Sequence, residues 1–311
     1  MNQKRIVIAG GSGFIGRALA REFAAQGFEI VILTRTPRKR TDDMREVAWD
    51  GKNLGEWAAT LDGAEAVINL TGKNINCPHT PENVRDLIAS RVDSVNALAA
   101  ALAQVQTPPR VWVQASAIGY YGDTGAVACD EHARAGSDTL SEICWQWESA
   151  FEAARVPSTR KVALRIGFVL GRDGGALPVL SKLAEWFLGG AVGSGRQYIS
   201  WIHLADLVRM FVAVVTRDKL VGTFNAVAPG AVTNGEFMSE LRRALQRPWS
   251  PSVPEFAVRL GAWFMKSEPT LALTGQHCVP GKFMEIEFQY RFPQLRAALE
   301  NLVPIRNRRI R

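Results

Sequence analysis

The first apolar run of the chain is followed by glycines and then by apolar positions at helical spacing. Ile6 to Ala9 are uninterrupted apolar residues, which is typical of a strand buried on both faces. Glycines follow at positions 10, 11, 13 and 16. The next apolar residues recur with the period of a helix: Phe14, Ile15, Ala18, Leu19 and Phe23. The start of the chain is therefore predicted to form a strand, a glycine turn and a helix.

Similar apolar runs alternate with helical patterns along the rest of the chain. Further strands are predicted near residues 29–34, 47–49, 66–70, 111–115, 196–203 and 223–228. Helices are predicted near residues 82–104, 140–151, 179–188, 207–216, 237–245 and 256–265. This alternation predicts an α/β fold, a Rossmann doubly wound parallel sheet with a smaller C-terminal substrate lobe. The apolar helix 256–265 is expected to pack on the body, or alternatively to line a pocket.

Composition narrows the class of protein. A chain of 311 residues with 47% hydrophobic residues can bury a full core. No apolar run reaches about 18 residues and no signal-peptide pattern precedes the first strand, so we expect a cytoplasmic protein without a membrane span. The scattered cysteines lack metal-ligand spacing, so we expect reduced thiols and no metal site. They are Cys77, Cys129, Cys144 and Cys278.

The net charge of +7 would suit a nucleic-acid partner, but its distribution along the chain does not. Four arginines lie within the last six residues, and the balance without them is +3. We interpret residues 300–311 as a disordered basic tail and expect no nucleic-acid partner.

The glycine spacing, together with its flanking strand and helix, predicts a dinucleotide-binding turn. One glycine permits the tight turn, one lets the backbone approach a pyrophosphate, and one lets the helix pack close to the strand. The free N–H groups at the start of the helix then face the phosphates. The residues assigned to this turn are Gly10, Gly13, Phe14, Ile15 and Gly16. The alternative is a glycine turn in an α/β protein that has lost its cofactor.

The end of the second predicted strand indicates which dinucleotide is bound. An NAD-binding fold places an acidic residue there for the ribose 2′-hydroxyl, whereas this chain has Thr34 and no carboxylate before Asp42. The basic residues between them are Arg35, Arg38, Lys39 and Arg40. Because guanidinium groups bind phosphate well, we infer NADP(H), with Arg35 as the first candidate for the 2′-phosphate and Arg38 as the second. The alternative is a solvated basic loop.

Further cofactor contacts are expected at the carboxyl ends of other strands, where ligands bind in open α/β sheets. The residues assigned to this contact are Asn69, Leu70, Thr71, Gly72, Ala115, Ser116 and Arg165.

Several stretches of the sequence resemble a known superfamily. GGSGFIG at 10–16, NLTG at 69–72 and ASAIGYYG at 115–122 resemble the extended short-chain dehydrogenases/reductases, which include the nucleotide-sugar epimerases and dehydratases. Later stretches narrow the resemblance, among them LRIGFVLG at 164–171 and SWIHLADL at 200–207. Together they resemble the "epimerase family" group related to bacterial YfcH proteins, and the resemblance spans nearly the whole chain.

This resemblance implies a division of the chain. Residues 1–235 would form an NAD(P)-binding, epimerase-like domain, with a Rossmann core of about 1–166 and part of the substrate lobe inserted at about 167–200. Residues 249–299 would form a small C-terminal domain of unknown function.

The superfamily's catalytic pair, a Tyr and a Lys four residues later, is absent. None of the four tyrosines is followed by Lys at that spacing. By distance from Ser116, Cys144 falls near the Tyr position and Glu148 near the Lys position, to within a residue or two. A carboxylate raises the pKa of a neighbouring thiol, so this pair does not replace Tyr and Lys chemically. The alternatives are a small buried residue for Cys144 and a solvated or structural carboxylate for Glu148.

Other candidates follow from the resemblance. Ser116 matches the serine that hydrogen-bonds the reacting oxygen, although Ala117 could hold that place. Tyr121 and Cys144 join Ser116 as catalytic candidates. Tyr120, Arg196 and His203 are the substrate candidates. The alternatives are packing in the turn for the tyrosines and a structural hydrogen bond for His203.

These features predict an NADP(H)-binding protein of the extended short-chain dehydrogenase/reductase type, an oxidoreductase whose small-molecule substrate the sequence does not identify. The alternative is a catalytically inert NADPH-binding sensor or scaffold, linked to cell division by the resemblance. Nucleotide-sugar epimerisation is a weaker alternative, because it needs the missing Tyr–Lys pair.

Overall fold

A computed structural model describes residues 3–39, 41–42, 44–247 and 249–303, and it contains a seven-stranded parallel sheet. From one edge to the other the strands are β3 (Arg45–Ala48), β2 (Glu29–Thr34), β1 (Arg5–Ala9), β4 (Ala66–Asn69), β5 (Val111–Ala117), β7 (Arg160–Ile166) and β11 (Gly222–Ala226). On one side of the boundary between β1 and β4 the chain adds β2 and β3, and on the other side it adds β5, β7 and β11, so the direction of winding reverses at this boundary. The predicted doubly wound Rossmann sheet is therefore confirmed, and ligands in such sheets bind at this boundary, beyond the carboxyl ends of the strands.

Helices cover both faces of the sheet, which explains why its central strands are mostly apolar. The helices are α1 (Phe14–Ala25), α2 (Pro81–Leu102), α3 (Thr139–Ala153), α4 (Leu177–Glu185), α5 (Leu204–Thr216), α6 (Asn234–Ala244), α7 (Glu255–Phe264), α8 (Thr270–Leu273), α9 (Gly281–Glu285) and α10 (Leu295–Leu302). Helices α2 and α3 pack together, and so do α1 and α5. Within the described parts of the chain, no helix is both long and apolar enough to cross a bilayer.

Three short strand pairs build the smaller lobe. They are β8 (Phe168–Leu170) with β10 (Trp201–His203), β9 (Tyr198–Ile199) with β12 (Val232–Thr233), and β6 (Ala128–Cys129) with β13 (His277–Cys278). The single strand predicted over 196–203 is wrong, because Ser200 divides it into two strands of different pairs. The buried Ser200 hydroxyl donates to the carbonyl of Gln276 and accepts from the N–H of Cys278, both at 2.7 Å.

Helix α7 forms where the apolar pattern predicts it, but the expected packing on the body is wrong. Phe256 is 73% exposed and Trp263 is 72% exposed, and only Ala262 is buried. Other large apolar side chains near the end of α4 are also exposed: Trp186, Phe187 and Leu188. The described part of the chain therefore leaves these faces uncovered.

Candidate functional site

The glycine turn between β1 and α1 is closely packed against the end of β4. Gly10 has a positive φ of 76°, and a Cβ there would lie 3.2 Å from the carbonyl carbon and oxygen of Leu70. A Cβ on Gly16 would lie 2.5 Å from the Cα of Gly11. The turn therefore needs glycine at both positions, and it brings the start of α1 to the boundary between β1 and β4.

The start of α1 is suited to a phosphate group. Gly13 is the N-cap, no side chain caps the helix, and its first turn has no acidic residue. The N–H groups of this first turn are therefore left for a ligand, which fits the predicted pyrophosphate. The Phe14 ring packs against the loop that follows β8, where Gly171 and Gly174 lie so close to it that neither has room for a Cβ.

A cleft of about 520 Å³ opens beyond the end of β2. Its lining residues are Ser12, Arg17, Thr34, Thr36, Arg38, Lys39, Thr41, Asp42 and Glu46. Arg38 therefore lies where a 2′-phosphate is expected, whereas Arg35 is not part of the lining; both residues are exposed. Both lining carboxylates have partners of their own. Arg40, also part of the basic run, lies outside the described residues.

Arg17 is a member of this cleft that the sequence interpretation missed. Its Nη1 donates to the carbonyl of Ser12 at 2.9 Å, and the hydroxyls of Ser12 and Thr34 lie 3.4 Å apart. The sequence feature that could have identified Arg17 is its position directly after Gly16, the last glycine of the turn.

Asn69 shapes the turn after β4. Its side chain is fully buried, and its Nδ2 donates to Ser94 Oγ at 3.1 Å and to Gln114 Oε1 at 3.0 Å. Its Oδ1 accepts from the N–H of Thr71 at 3.0 Å. The hydroxyl of Thr71 is buried and has no partner among the described residues. The Asn69 amide therefore positions the loop, while Thr71 retains an unsatisfied hydroxyl of the kind that a ligand satisfies.

The most concentrated polar contacts lie at the carboxyl ends of β5 and β7, next to α3. Ser116 Oγ donates to Glu148 Oε1 at 2.5 Å. Arg165 faces the same carboxylate, with Nε 2.9 Å from Oε1 and Nη2 2.8 Å from Oε2. The two charged side chains are only 6% and 10% exposed. Glu148 therefore lies beside Ser116 as half of a buried ion pair, and its alignment with the superfamily's Lys stays a prediction.

Arg165 also holds the two tyrosines. Its Nη1 donates to the Tyr121 hydroxyl at 2.8 Å, and its Cζ lies 3.5 Å from the centroid of the Tyr120 ring. The Tyr121 hydroxyl in turn donates to Asn225 Oδ1 at 2.7 Å. Burial raises the pKa of Tyr121. Each nitrogen of the guanidinium thus donates to a protein group, and the cofactor contact expected of Arg165 stays a prediction.

Cys144 lies one helical turn before Glu148 on the buried face of α3. A Cβ on Gly119 would lie 3.5 Å from its Sγ, so the thiol faces the turn after β5. Burial raises the pKa of Cys144 to about 12, against the opposing effect of Arg91. The side chain is therefore a neutral thiol near pH 7, and its catalytic role stays a prediction.

The two remaining substrate candidates lie in the smaller lobe. Arg196 is exposed. His203 caps α5: its Nδ1 accepts from the N–H of Ala205 at 3.0 Å, and its Nε2 lies 3.2 Å from Asn301 Oδ1. Both ring nitrogens are thus engaged by the protein, which supports the structural alternative for His203. In the described residues, no group of three or more His, Cys, Asp or Glu could hold a metal ion.

The chain is similar to known proteins over nearly its whole length. Residues 6–226 match the NAD dependent epimerase/dehydratase family, and residues 253–302 match a domain of unknown function, DUF1731. Human epimerase family protein SDR39U1 is 35% identical over 306 residues, covering 96% of this chain and 99% of the human protein. The chloroplastic SDR39U1 homolog of Arabidopsis thaliana is 33% identical over 309 residues, covering 97% and 87%.

Solved structures agree with these sequence relationships. The crystal structure of human SDR39U1 with NADPH has a TM-score of 0.85 and 32% identity, covering 96% of this chain and 99% of that chain. A nucleoside-diphosphate sugar epimerase from Corynebacterium glutamicum has a TM-score of 0.77 and 29% identity, covering 97% of this chain and 59% of that chain. The chain belongs to the NAD dependent epimerase/dehydratase family.

Proposed function

We propose that the chain is an NADP(H)-binding oxidoreductase of the extended short-chain dehydrogenase/reductase type. The observation that carries the cofactor choice is the cleft beyond β2, which Arg17, Arg38 and Lys39 help to line and in which Thr34 takes the place of the acidic residue that ends this strand in an NAD-binding fold. The similarity to human SDR39U1, which was crystallised with NADPH, supports the same choice. A cytoplasmic location belongs to this proposal, because the four cysteines are free thiols.

Bound NADPH supplies the hydride in such a reaction. The protein then has to orient the reacting oxygen and exchange its proton. Ser116 Oγ lies at the end of β5, where it can hydrogen-bond the substrate oxygen, and water supplies the proton that this oxygen takes up. Glu148, which accepts from Ser116 and is paired with Arg165, holds the Ser116 side chain in place. Tyr121 is less suited, because its hydroxyl already both accepts from Arg165 and donates to Asn225.

The cofactor proposal is tested by fluorescence titration with NADPH and, separately, NADH. We expect tighter binding of NADPH, and we expect R38Q and R17Q to lower NADPH affinity about tenfold or more with little effect on NADH, because each removes a charge-assisted phosphate contact. R35Q, measured in parallel, tests Arg35, which the sequence predicts as the first candidate for binding the 2′-phosphate. Equal affinities for the two cofactors in the unaltered protein would refute the 2′-phosphate assignment.

A catalytically inert NADPH sensor is the second candidate, and one observation favours it. The positions aligned with Tyr and Lys hold a neutral thiol and a carboxylate that Arg165 already neutralises. Consumption of NADPH with a broad panel of small carbonyl compounds separates the two candidates. Turnover that S116A abolishes, with NADPH binding intact, supports the oxidoreductase. Complete inertness supports the sensor, while slow interconversion of nucleotide sugars would favour the weaker epimerase alternative.

A further inference from the structure

Helix α7 packs on the protein with its small residues and leaves its large apolar residues exposed. The less exposed positions are Ala257, Val258, Gly261 and Ala262. The large apolar side chains, in contrast, are all more than half exposed: Phe256, Leu260, Trp263 and Phe264. These four lie at positions i, i+4, i+7 and i+8, so they share one face of the helix. A surface helix of a soluble domain normally buries such a face.

A second group of exposed apolar side chains adjoins α7 at the end of α4. It comprises residues 186–188, a tryptophan, a phenylalanine and a leucine. The residues that follow them pair with the segment just before α7. The N–H of Val253 donates to the carbonyl of Ala191 at 2.8 Å, and the N–H of Gly193 donates to the carbonyl of Val253 at 2.9 Å. Trp249, which is also exposed, belongs to the same segment. We call residues 186–188, Trp249 and the exposed face of α7 the aromatic surface.

The charges beside the aromatic surface are mainly positive. Residues 177–190 and 245–267 contain four basic and two acidic residues, a balance of +2. The basic residues are Lys182, Arg247, Arg259 and Lys266, and the acidic residues are Glu185 and Glu255. Glu255 is already paired with Arg259 at 2.6 Å. Two copies of a surface with this charge repel each other, whereas an anionic partner is attracted.

The residue types distinguish between two anionic partners, a protein and a lipid bilayer. Lysine is depleted from protein–protein interfaces, but Lys182 and Lys266 flank the aromatic surface and are both exposed. Trp and Phe beside lysines are instead typical of helices that lie at the surface of a bilayer. Tryptophan in particular is enriched at the level of the lipid headgroups. The composition of the aromatic surface therefore favours a bilayer.

We propose that the aromatic surface binds the surface of a bilayer that contains anionic phospholipid. The aromatic side chains of α7 enter the headgroup region, and Lys182 and Lys266 lie near the lipid phosphates. Buried apolar area and the attraction of the lysines to anionic lipid both stabilise the bound state. This inference goes beyond the proposed function and does not depend on which cofactor the chain binds.

The test is sedimentation of the full chain with lipid vesicles. One set consists of phosphatidylcholine and phosphatidylglycerol in equal amounts, and the other of phosphatidylcholine alone. We expect binding to the mixed vesicles that is about tenfold tighter or more. W263A/F264A is expected to weaken this binding about tenfold or more, because it removes two aromatic side chains that the bilayer buries. W145A, which removes a half-exposed tryptophan from α3, is the control and should bind as the unaltered protein does.

Charge reversal tests the contribution of the lysines. K182E/K266E is expected to weaken binding to the mixed vesicles and to leave binding to phosphatidylcholine unchanged. K219E, at an exposed lysine between α5 and β11, is the control and should have a much smaller effect. All the substituted side chains lie at the surface, so the variants should unfold at the temperature of the unaltered protein.

Three results would overturn the proposal. The first is that the folded protein binds neither kind of vesicle. The second is that W263A/F264A binds the mixed vesicles as tightly as the unaltered protein, since binding would then depend on charge alone. The third is that the protein self-associates in ultracentrifugation without lipid and W263A/F264A abolishes this association, which would assign the aromatic surface to a second copy of the chain.

Discussion

Glu148 is held from both sides, by the hydroxyl of Ser116 and by the guanidinium of Arg165. The superfamily resemblance predicts a lysine within a residue or two of this position, whereas Glu148 has the opposite charge. A lysine here would bring a second cation against Arg165. Replacing Glu148 by lysine alone would therefore not restore the superfamily's catalytic pair, because Arg165 would be left buried beside a second positive charge.

We predict that E148Q lowers the free energy of unfolding by about 3–5 kcal/mol, because it leaves Arg165 buried without its counter-charge. The double variant E148L/R165M, which removes both charges, is expected to lose less than E148Q alone. Urea denaturation measures both effects. E152Q, on an exposed residue one turn along the same helix, is the control and should change stability by no more than about 0.5 kcal/mol. A similarly small loss for E148Q would show that the pair is not energetically coupled.

At the scale of the elements, helix α5 depends on a histidine for its start. Because Nδ1 of His203 accepts the N–H of Ala205, the proton of the neutral ring lies on Nε2 and points to Asn301. Burial lowers the pKa of His203. The cap therefore functions with the neutral ring, and protonation of Nδ1 would remove its acceptor.

This cap makes stability depend on pH in one direction. Below the unfolded pKa of about 6.5, the unfolded chain takes up a proton that the folded state resists, so stability falls as the pH decreases from about 7 to 5. We predict that H203N, which retains a capping oxygen, loses less stability than the unaltered protein between about pH 7.5 and pH 5.5. Thermal unfolding across this range tests the prediction. Parallel pH profiles of the two proteins would contradict it.

The element predictions succeed where local pattern decides the outcome and fail where distant contacts decide it. The glycine turn and the strand at Glu29–Thr34 follow from spacing and apolar runs alone. The Glu148–Arg165 pair joins a helix to a strand, and no sequence period reveals it. The exposure of α7 was missed because hydrophobic spacing predicts an apolar face but not whether another element covers it.

At the scale of the whole molecule, the C-terminal segment is tied to the sheet domain through buried polar groups. Asp206 on α5 is only 1% exposed, and its two oxygens accept the N–H groups of Arg291 and Phe292 at 2.6 and 2.8 Å. Asn225 on β11 donates to the carbonyl of Val279 at 2.9 Å. The segment matched to DUF1731 therefore packs as an integral part of the fold.

We predict that D206N lowers the free energy of unfolding by about 3 kcal/mol, because an amide nitrogen would face a backbone N–H in place of a charged acceptor. D218N is the control. Asp218 is exposed and pairs with Arg110 at the surface, so its loss should cost at most about 1 kcal/mol. Guanidinium denaturation of both variants measures the difference. Equal costs would show that the contact between Asp206 and the C-terminal segment contributes no more than a surface pair.

The exposed apolar side chains, including those near the end of α4 and on α7, also have an optical consequence. Of the nine tryptophans, the exposed ones are Trp145, Trp186, Trp249 and Trp263, and the buried ones are Trp49, Trp57, Trp112, Trp147 and Trp201. Indole emission should thus separate into a red-shifted fraction that acrylamide quenches readily and a blue-shifted fraction that it reaches slowly. The emission that acrylamide quenches comes from tryptophans at the surface, and the emission that it quenches slowly comes from tryptophans in the interior. One spectrum therefore monitors both regions of the protein.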